Sequence, residues 1–353
     1  MPTVNMLSSA NKIKGQGVSS AYIEQVNLVK NGLKNNYEIK INKIEFCDIM
    51  HYHTIDLKFF LSVKFSKLSG TSVAYVHFVP ETIEDSLKLP KIVKKIFYKY
   101  IIRFYKSVDH LVVVNPYFVE ILKTYGLDEN KITYIPNFVS EENFYRISKI
   151  EINKLKQRYN ISPEKFVVLG VGQVQSRKGV IDFIEVAKKL PHIQFLWAGG
   201  FSFGCITEGY SELKKIMEDP PINVKFLGII NREEMNEIYN LADLMFLPSF
   251  SELFPMSVLE AMSLKLPILL RELEIYHSIL FEFYLKGKGI EEFVSIINSI
   301  KSNKEDYKVW SENSWRCHQY YSRESVLEMW KVFYDEIYEQ KNKLNLRSPL
   351  NEK

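Results

Sequence analysis

Two glutamates eight residues apart, Glu252 and Glu260 in the run PSFSELFPMSVLEAM (residues 248–262), are the side chains in this sequence best spaced to do chemistry. Glu252 follows an apolar run that reads as a buried strand, and Pro255 suits the first turn of the next helix. Glu260 then falls about a turn and a half further in. The two carboxylates stand at different levels of one site, with the free N–H groups of residues 253–257 between them. Carboxylates accept hydroxyl hydrogen bonds, and a helix N-terminus accepts phosphate. A sugar at one acid, a ribose at the other and a diphosphate between them would use every group. Val258, Leu259, Ala261 and Met262 make this a largely buried helix, and a buried carboxylate needs partners.

A second cluster is QVQSRKG, residues 173–179, between a strand and a helix. Arg177 and Lys178 at that helix start are two cations suited to a diphosphate, or simply a solvated basic pair. Gly15-Gln16-Gly17 follows the first strand and lets backbone approach a ligand, although a plain turn reads the same way. It lacks the third glycine of GxGxxG, and no acid ends the second strand, which disfavours a dinucleotide oxidoreductase. His51 and His53 share one strand face, but two imidazoles do not close a zinc site, so no metal is expected. No Asp-x-Asp occurs to bridge a diphosphate through a metal ion.

Residues 86–108 hold Lys88, Lys91, Lys94, Lys95, Lys99, Arg103 and Lys106 and no acid. Spacings of three and four put most of them on one helical stripe, with Ile92, Ile96, Phe97, Tyr100, Ile101 and Phe104 supplying apolar faces. A basic amphipathic helix with aromatics suits an anionic membrane surface; a helix merely covering a core is the alternative. No recognisable nucleic-acid module accompanies the stripe, so no nucleic-acid partner is expected.

The elements that must position these groups alternate in type. Strand-like runs at Val4–Leu7, Glu38–Asn42, Asp48–His53, Val73–Val79, His110–Asn115 and Lys131–Ile135 are interleaved with helical patterns such as Ala21–Leu33. The pattern restarts with Phe166–Gly172, Ile193–Gly199, Val224–Gly228, Leu244–Pro248 and Pro267–Arg271, interleaved with Val180–Leu190 and Arg232–Tyr239. Continuously apolar runs such as LVVV (111–114) fit parallel strands covered on both faces. This predicts an α/β protein of two Rossmann-like domains, residues 1–150 and 151–325, with a ligand cleft along the carboxyl ends of both sheets. A terminal segment of residues 326–353 follows, and a last helix over Ser325–Gln340 carries Val326, Met329, Trp330, Phe333 and Ile337 on one face.

The chain has 353 residues, 46% hydrophobic and 25% charged, which excludes a disordered or disulfide-scaffold class. Residues 1–150 carry 20 Lys/Arg against 14 Asp/Glu and the remainder 26 against 28, so the first half invites the anionic partner. No apolar run approaches the ~20 residues of a spanning helix, and Met1–Gly17 lacks a signal-like apolar core. Cys47, Cys205 and Cys317 fit reduced, buried thiols. The location expected is cytoplasmic, peripheral on the inner face of the cell membrane.

On the Glu252/Glu260 pair the chain resembles GT4-type retaining glycosyltransferases of the GT-B fold. Ile135-Pro-Asn137, Gly172–Gly179 and Ala242-Asp243 extend the likeness over nearly the whole length. GQGVSSAYIEQV, HYHT, GVGQVQSRKGV and WAGGFSFG look more narrowly like bacterial enzymes that add a second sugar to monoglycosyl-diacylglycerol. The resemblance implies a donor, UDP-glucose or UDP-galactose, and a glycolipid acceptor, with no cofactor. It implies that Glu260 holds the ribose and Glu252 the donor hexose. Leu253 and Phe254 amides, Lys178 and the Gly15–Gly17 loop would face the diphosphate, and His77 the transferred sugar. Family members commonly carry arginine where this chain has Gln173, with Arg177 the candidate substitute. It also implies a terminal helix that crosses back to the first domain. The rival readings are a soluble or polysaccharide acceptor, an epimerase or phosphorylase of the same fold, and a binder that turns nothing over.

Overall fold

The apolar runs fold as buried parallel strands in the computed structural model, which describes residues 1–10, 17–83, 90–202, 204 and 207–347. Six of them, β1 (Thr3–Leu7), β2 (Glu38–Ile41), β3 (Ile49–Tyr52), β4 (Thr71–Val76), β5 (His110–Val113) and β6 (Ile132–Tyr134), form one sheet in the order β2-β1-β3-β4-β5-β6. Six more, β7 (Val167–Val171), β8 (Gln194–Ala198), β9 (Val224–Gly228), β10 (Leu244–Leu247), β11 (Ile268–Arg271) and β12 (Leu285–Gly287), form a second, ordered β12-β11-β10-β7-β8-β9. Every strand pair is parallel. β4, β7 and β10 are buried at every residue, as strands covered on both faces must be.

Each order has one reversal of direction, between β1 and β3 in the first sheet and between β7 and β10 in the second. There the chain leaves adjacent strands toward opposite sides and opens a crevice at their carboxyl ends. In the second sheet that crevice lies between the loop after β7, which carries Arg177 and Lys178, and the loop after β10, which carries Glu252.

Sequence and structure differ in several places, among them the strand expected at Val73–Val79, which forms as Thr71–Val76 and ends before His77. β12 is only three residues, LKG, too short and polar to show in the pattern. Pro255 is the N-cap of helix Met256–Ser263 rather than a residue of its first turn. Segment Arg232–Tyr239 opens as a 3-10 turn, Arg232–Glu234, before helix Met235–Leu241. In the last helix, Arg323–Arg347, Val326, Trp330, Phe333 and Ile337 are buried but Met329 is exposed. That helix packs against helix Gly17–Gly32 and β4, and it is hydrogen-bonded to β3 through Tyr334 Oη to His51 Nδ1 at 2.8 Å and to the turn before β2 through Tyr37 Oη to Asp335 Oδ1 at 2.5 Å. Among the described residues no helix is long and apolar enough to cross a membrane.

Candidate active site

The turn after β7 is held open by a glycine that nothing else can replace. Gly179 sits at φ +69°, and a Cβ there would lie 2.2 Å from the Pro248 carbonyl oxygen. The close approach brings two loops together, with the Phe250 N–H donating to the Arg177 carbonyl at 2.8 Å. Lys178 then reaches Glu252, Nζ to Oε1 at 2.5 Å, and Arg177 Nη1 stands 3.8 Å from Oε2 while donating to the Ser251 carbonyl at 2.6 Å. Both Lys178 and Glu252 are buried. Burial alone would raise the Glu252 carboxyl, but the charges of Lys178 and Arg177 outweigh it and hold the carboxyl below its usual range. Burial drives the Lys178 ammonium below its usual value. The expected diphosphate cations are thus already engaged by the acid next door. Gln173 Oε1 accepts from Gln175 Nε2 at 2.6 Å.

The loop after Glu252 is fixed from the opposite sheet. Asn115, fully buried just past β5, donates to the carbonyls of Leu253 and Ile275, both at 3.1 Å, and accepts from the Tyr117 N–H and the Ser278 hydroxyl. Asn137 donates to the Phe254 carbonyl at 3.3 Å. A trans peptide aims its N–H opposite to its C=O, so anchoring the Leu253 carbonyl turns the Phe254 N–H away from Asn115. Pro255 has no N–H to offer. The amides of Leu253, Phe254, Met256 and Ser257 make no hydrogen bond among the described residues, a row of donors ahead of a helix N-terminus.

Glu260, also buried, accepts from Arg232 Nη1 on Oε1 at 2.8 Å and from Tyr239 Oη on Oε2 at 2.6 Å. Arg232 Nη2 donates to Glu24 Oε1 at 2.5 Å, on helix Gly17–Gly32 of the first sheet. Burial raises the Glu24 carboxyl, partly offset by Arg232. Glu24, Arg232, Tyr239 and Asn115 were not visible as site residues in the sequence. Each looks like an ordinary helix or loop residue locally, and only the meeting of the two sheets gives it a partner.

His77, one residue past β4, joins a buried stack of rings. The His51 and His53 centroids are 4.3 Å apart, His53 and His77 5.8 Å, and Tyr75 lies 4.5 Å from His77. Burial pushes His51 and His77 down to about 3, so at neutral pH both are uncharged. Among the described residues, both ring nitrogens of His53 and Nε2 of His51 and of His77 have no hydrogen-bond partner. Among the described residues no group of three or more His, Cys, Asp or Glu side chains is arranged to hold a metal ion.

Gly15, Gln16, Lys88 and Cys205 lie outside the described residues, and Gly17 opens its helix. The stripe forms helix Lys91–Ser107, and Lys91, Lys94, Lys95, Lys99, Arg103 and Lys106 line a groove of about 690 Å³ with Tyr98, Ile102 and Tyr125. Its apolar residues divide: Ile101 and Phe104 are buried, whereas Ile92 and Ile96 are 75% and 64% exposed beside the lysines.

Known proteins resemble this chain over most of its length. The family model of glycosyl transferases group 1 matches residues 151–316, and that of glycosyltransferase family 4 matches residues 40–143. An alpha-galactosylglucosyldiacylglycerol synthase of Streptococcus pneumoniae is 45% identical over 332 residues, covering 94% of this chain and 89% of the relative. A processive diacylglycerol alpha-glucosyltransferase of Acholeplasma laidlawii is 26% identical, over 75% and 79% of the two chains. Two solved structures share the fold at 14% identity. Anabaena HepE in complex with UDP-glucose has a TM-score of 0.75, covering 95% of this chain and all of that one. Sucrose-phosphate synthase of Thermosynechococcus elongatus has a TM-score of 0.77, covering 96% and 100%. Two parallel sheets with facing crevices, an acid pair at the second of them and near full-length likeness to these enzymes agree on one assignment: the chain belongs to the group 1, family 4 glycosyltransferases, with the GT-B fold.

Proposed function

We propose that this chain transfers a hexose, galactose or glucose, from its UDP-activated form to a glucosyl-diacylglycerol at an anionic membrane surface, keeping the α configuration. The observation that carries this reading is the 45% identity to a relative whose name specifies an α-galactosyl group on glucosyldiacylglycerol. The geometry supplies matching roles. A carboxylate has about four lone-pair sites, and Arg232 and Tyr239 use one on each Glu260 oxygen. One site per oxygen stays open, the number that a vicinal ribose diol needs. The amides ahead of helix Met256–Ser263 and the cations Lys178 and Arg177 suit the diphosphate, and Glu252 the hexose hydroxyls. Breaking the sugar–phosphate bond puts positive charge on the sugar and negative charge on UDP. Fixed donors at the phosphates stabilise that separation without reorganising, and no metal ion is needed for it. His77, neutral, offers the sugar a hydrogen bond rather than a charge.

The membrane part of the proposal rests on the basic groove and its apolar neighbours. Leu57, Leu61 and Phe65 are exposed on helix Leu57–Ser69, which packs on helix Lys91–Ser107, where Ile92 and Ile96 are exposed. Each cation near an anionic leaflet contributes about 1 kcal/mol, so the six basic residues described here would hold the enzyme without a spanning anchor. The test is UDP release from UDP-galactose and UDP-glucose, in chelator, with vesicles of phosphatidylglycerol or of phosphatidylcholine, each with and without glucosyl-diacylglycerol. The proposal expects release that requires the glycolipid, is faster on the anionic vesicles and falls with added salt. Equal release without the glycolipid would mean hydrolysis, and transfer to a soluble sugar at the same rate would favour a soluble acceptor.

A further inference from the structure

The Glu260 carboxylate does not hold its own orientation. Its oxygens are fixed by Arg232 and Tyr239, and Arg232 is fixed in turn by Glu24 across the cleft. The guanidinium uses its two terminal nitrogens on two different carboxylates, a bridge that its rigid planar fork makes and a lysine ammonium does not. Phe144, in the segment joining the two sheets, lies 5.0 Å below it and closes off one side. Glu24 and Glu260 are both buried, whereas the Arg232 side chain keeps 24% of its surface, so it has room to turn away when one partner is lost. Without the cation, two buried carboxylates would face each other.

We propose that Glu24 and Arg232 are positioning residues of the nucleotide site: Glu24 holds Arg232 across the cleft, and Arg232 sets the Glu260 carboxylate so that one lone pair of each oxygen meets the ribose diol. This rests on Glu260 being the ribose-holding group. Because Glu24 belongs to the first sheet and Glu260 to the second, the bridge exists only when the two halves are apposed as here. Ribose binding is then linked to that apposition, and the linkage runs both ways.

The test compares UDP with 2′-deoxy-UDP by calorimetry in the wild type, Glu24→Gln, Arg232→Gln and the double variant. Losing a hydrogen bond to a charged group costs about a factor of ten or more, so the wild type should favour UDP by roughly that ratio. Glu24→Gln, which keeps the shape of the side chain, should cut the preference to about threefold or less, and Arg232→Gln to none. The double variant should match Arg232→Gln alone, because Glu24 acts through Arg232. If Arg232→Gln fails to fold, Arg232→Lys keeps the charge but not the bridge and should show the same loss. A Glu24→Gln protein with the full wild-type ratio would overturn the proposal while leaving Glu260 as the ribose group. A wild type that does not distinguish the two nucleotides would overturn both.

Discussion

Glu252→Gln is expected to lower sugar transfer by about two to three orders of magnitude, the loss typical when a group that meets the transition state is removed from a preorganised site. UDP affinity is expected to stay or to tighten. In the folded protein Glu252 is paired with Lys178 at 2.5 Å and stands 3.8 Å from Arg177. A diphosphate must therefore compete with this carboxylate for the two cations. Glutamine removes the competing charge and leaves both cations to the phosphates, so binding improves while the hexose loses its charged acceptor, keeping only a weaker amide oxygen. The diagnostic result is a split: kcat falls, whereas the Kd for UDP does not rise. A parallel loss of both would mean that Glu252 holds the loop rather than the sugar, and unchanged turnover would remove it from the site. Melting curves of the variant separate either result from simple unfolding, since removing one partner of a buried ion pair can itself cost about 3–5 kcal/mol.

Stability is expected to fall steeply between pH 7.5 and pH 5. His51 and His77 are held down to about 3 and His53 well below its ordinary 6.5, by burial first, with neighbouring imidazoles adding to the effect at His51 and His53. The sign follows from which state binds protons. Below pH 6.5 the unfolded chain takes up protons that the folded stack refuses, so stability is full above that pH and drains as pH falls toward 3. At pH 5 His51 and His77 each cost about 2 kcal/mol, and His53 adds to the loss in the same direction. Total stabilities run to only about 5–15 kcal/mol. His110 and His318 are lowered too and act in the same direction. Glu252 and Asp109 are held below their usual carboxylate values, so their loss begins at still lower pH and does not obscure this window. Thermal unfolding from pH 7.5 to 5 reads the effect, and His53→Leu should flatten the curve. A stability that stays level down to pH 5 would show that the stack accepts protons when folded.

The strands were legible because their message is local. A run such as LVVV (111–114) states burial on both faces without help from the rest of the chain. The acid pair was legible for a related reason: a strand, a tight loop and a proline-capped helix fix the levels of Glu252 and Glu260 within one short segment. What stayed hidden depends on two distant segments meeting. Asn115 follows a strand of the first sheet, and nothing nearby says that its carboxamide will anchor Leu253. Glu24 lies on one face of an ordinary helix, and Arg232 in a 3-10 turn that reads as the start of a helix. The basic stripe was half legible. Its charge is a fact of composition, but which of Ile92, Ile96, Ile101 and Phe104 face the core is decided by the helix it packs on.

The central claim, an α-retaining transfer to a glycolipid, is tested most directly by the product itself. Wild-type protein, UDP-galactose and glucosyl-diacylglycerol in anionic vesicles should give a diglycosyl-diacylglycerol whose new anomeric proton, read by NMR, shows the α configuration. UDP-glucose in place of UDP-galactose settles the donor. A β-linked product, or no diglycosyl lipid with either donor while UDP still binds, would contradict the account.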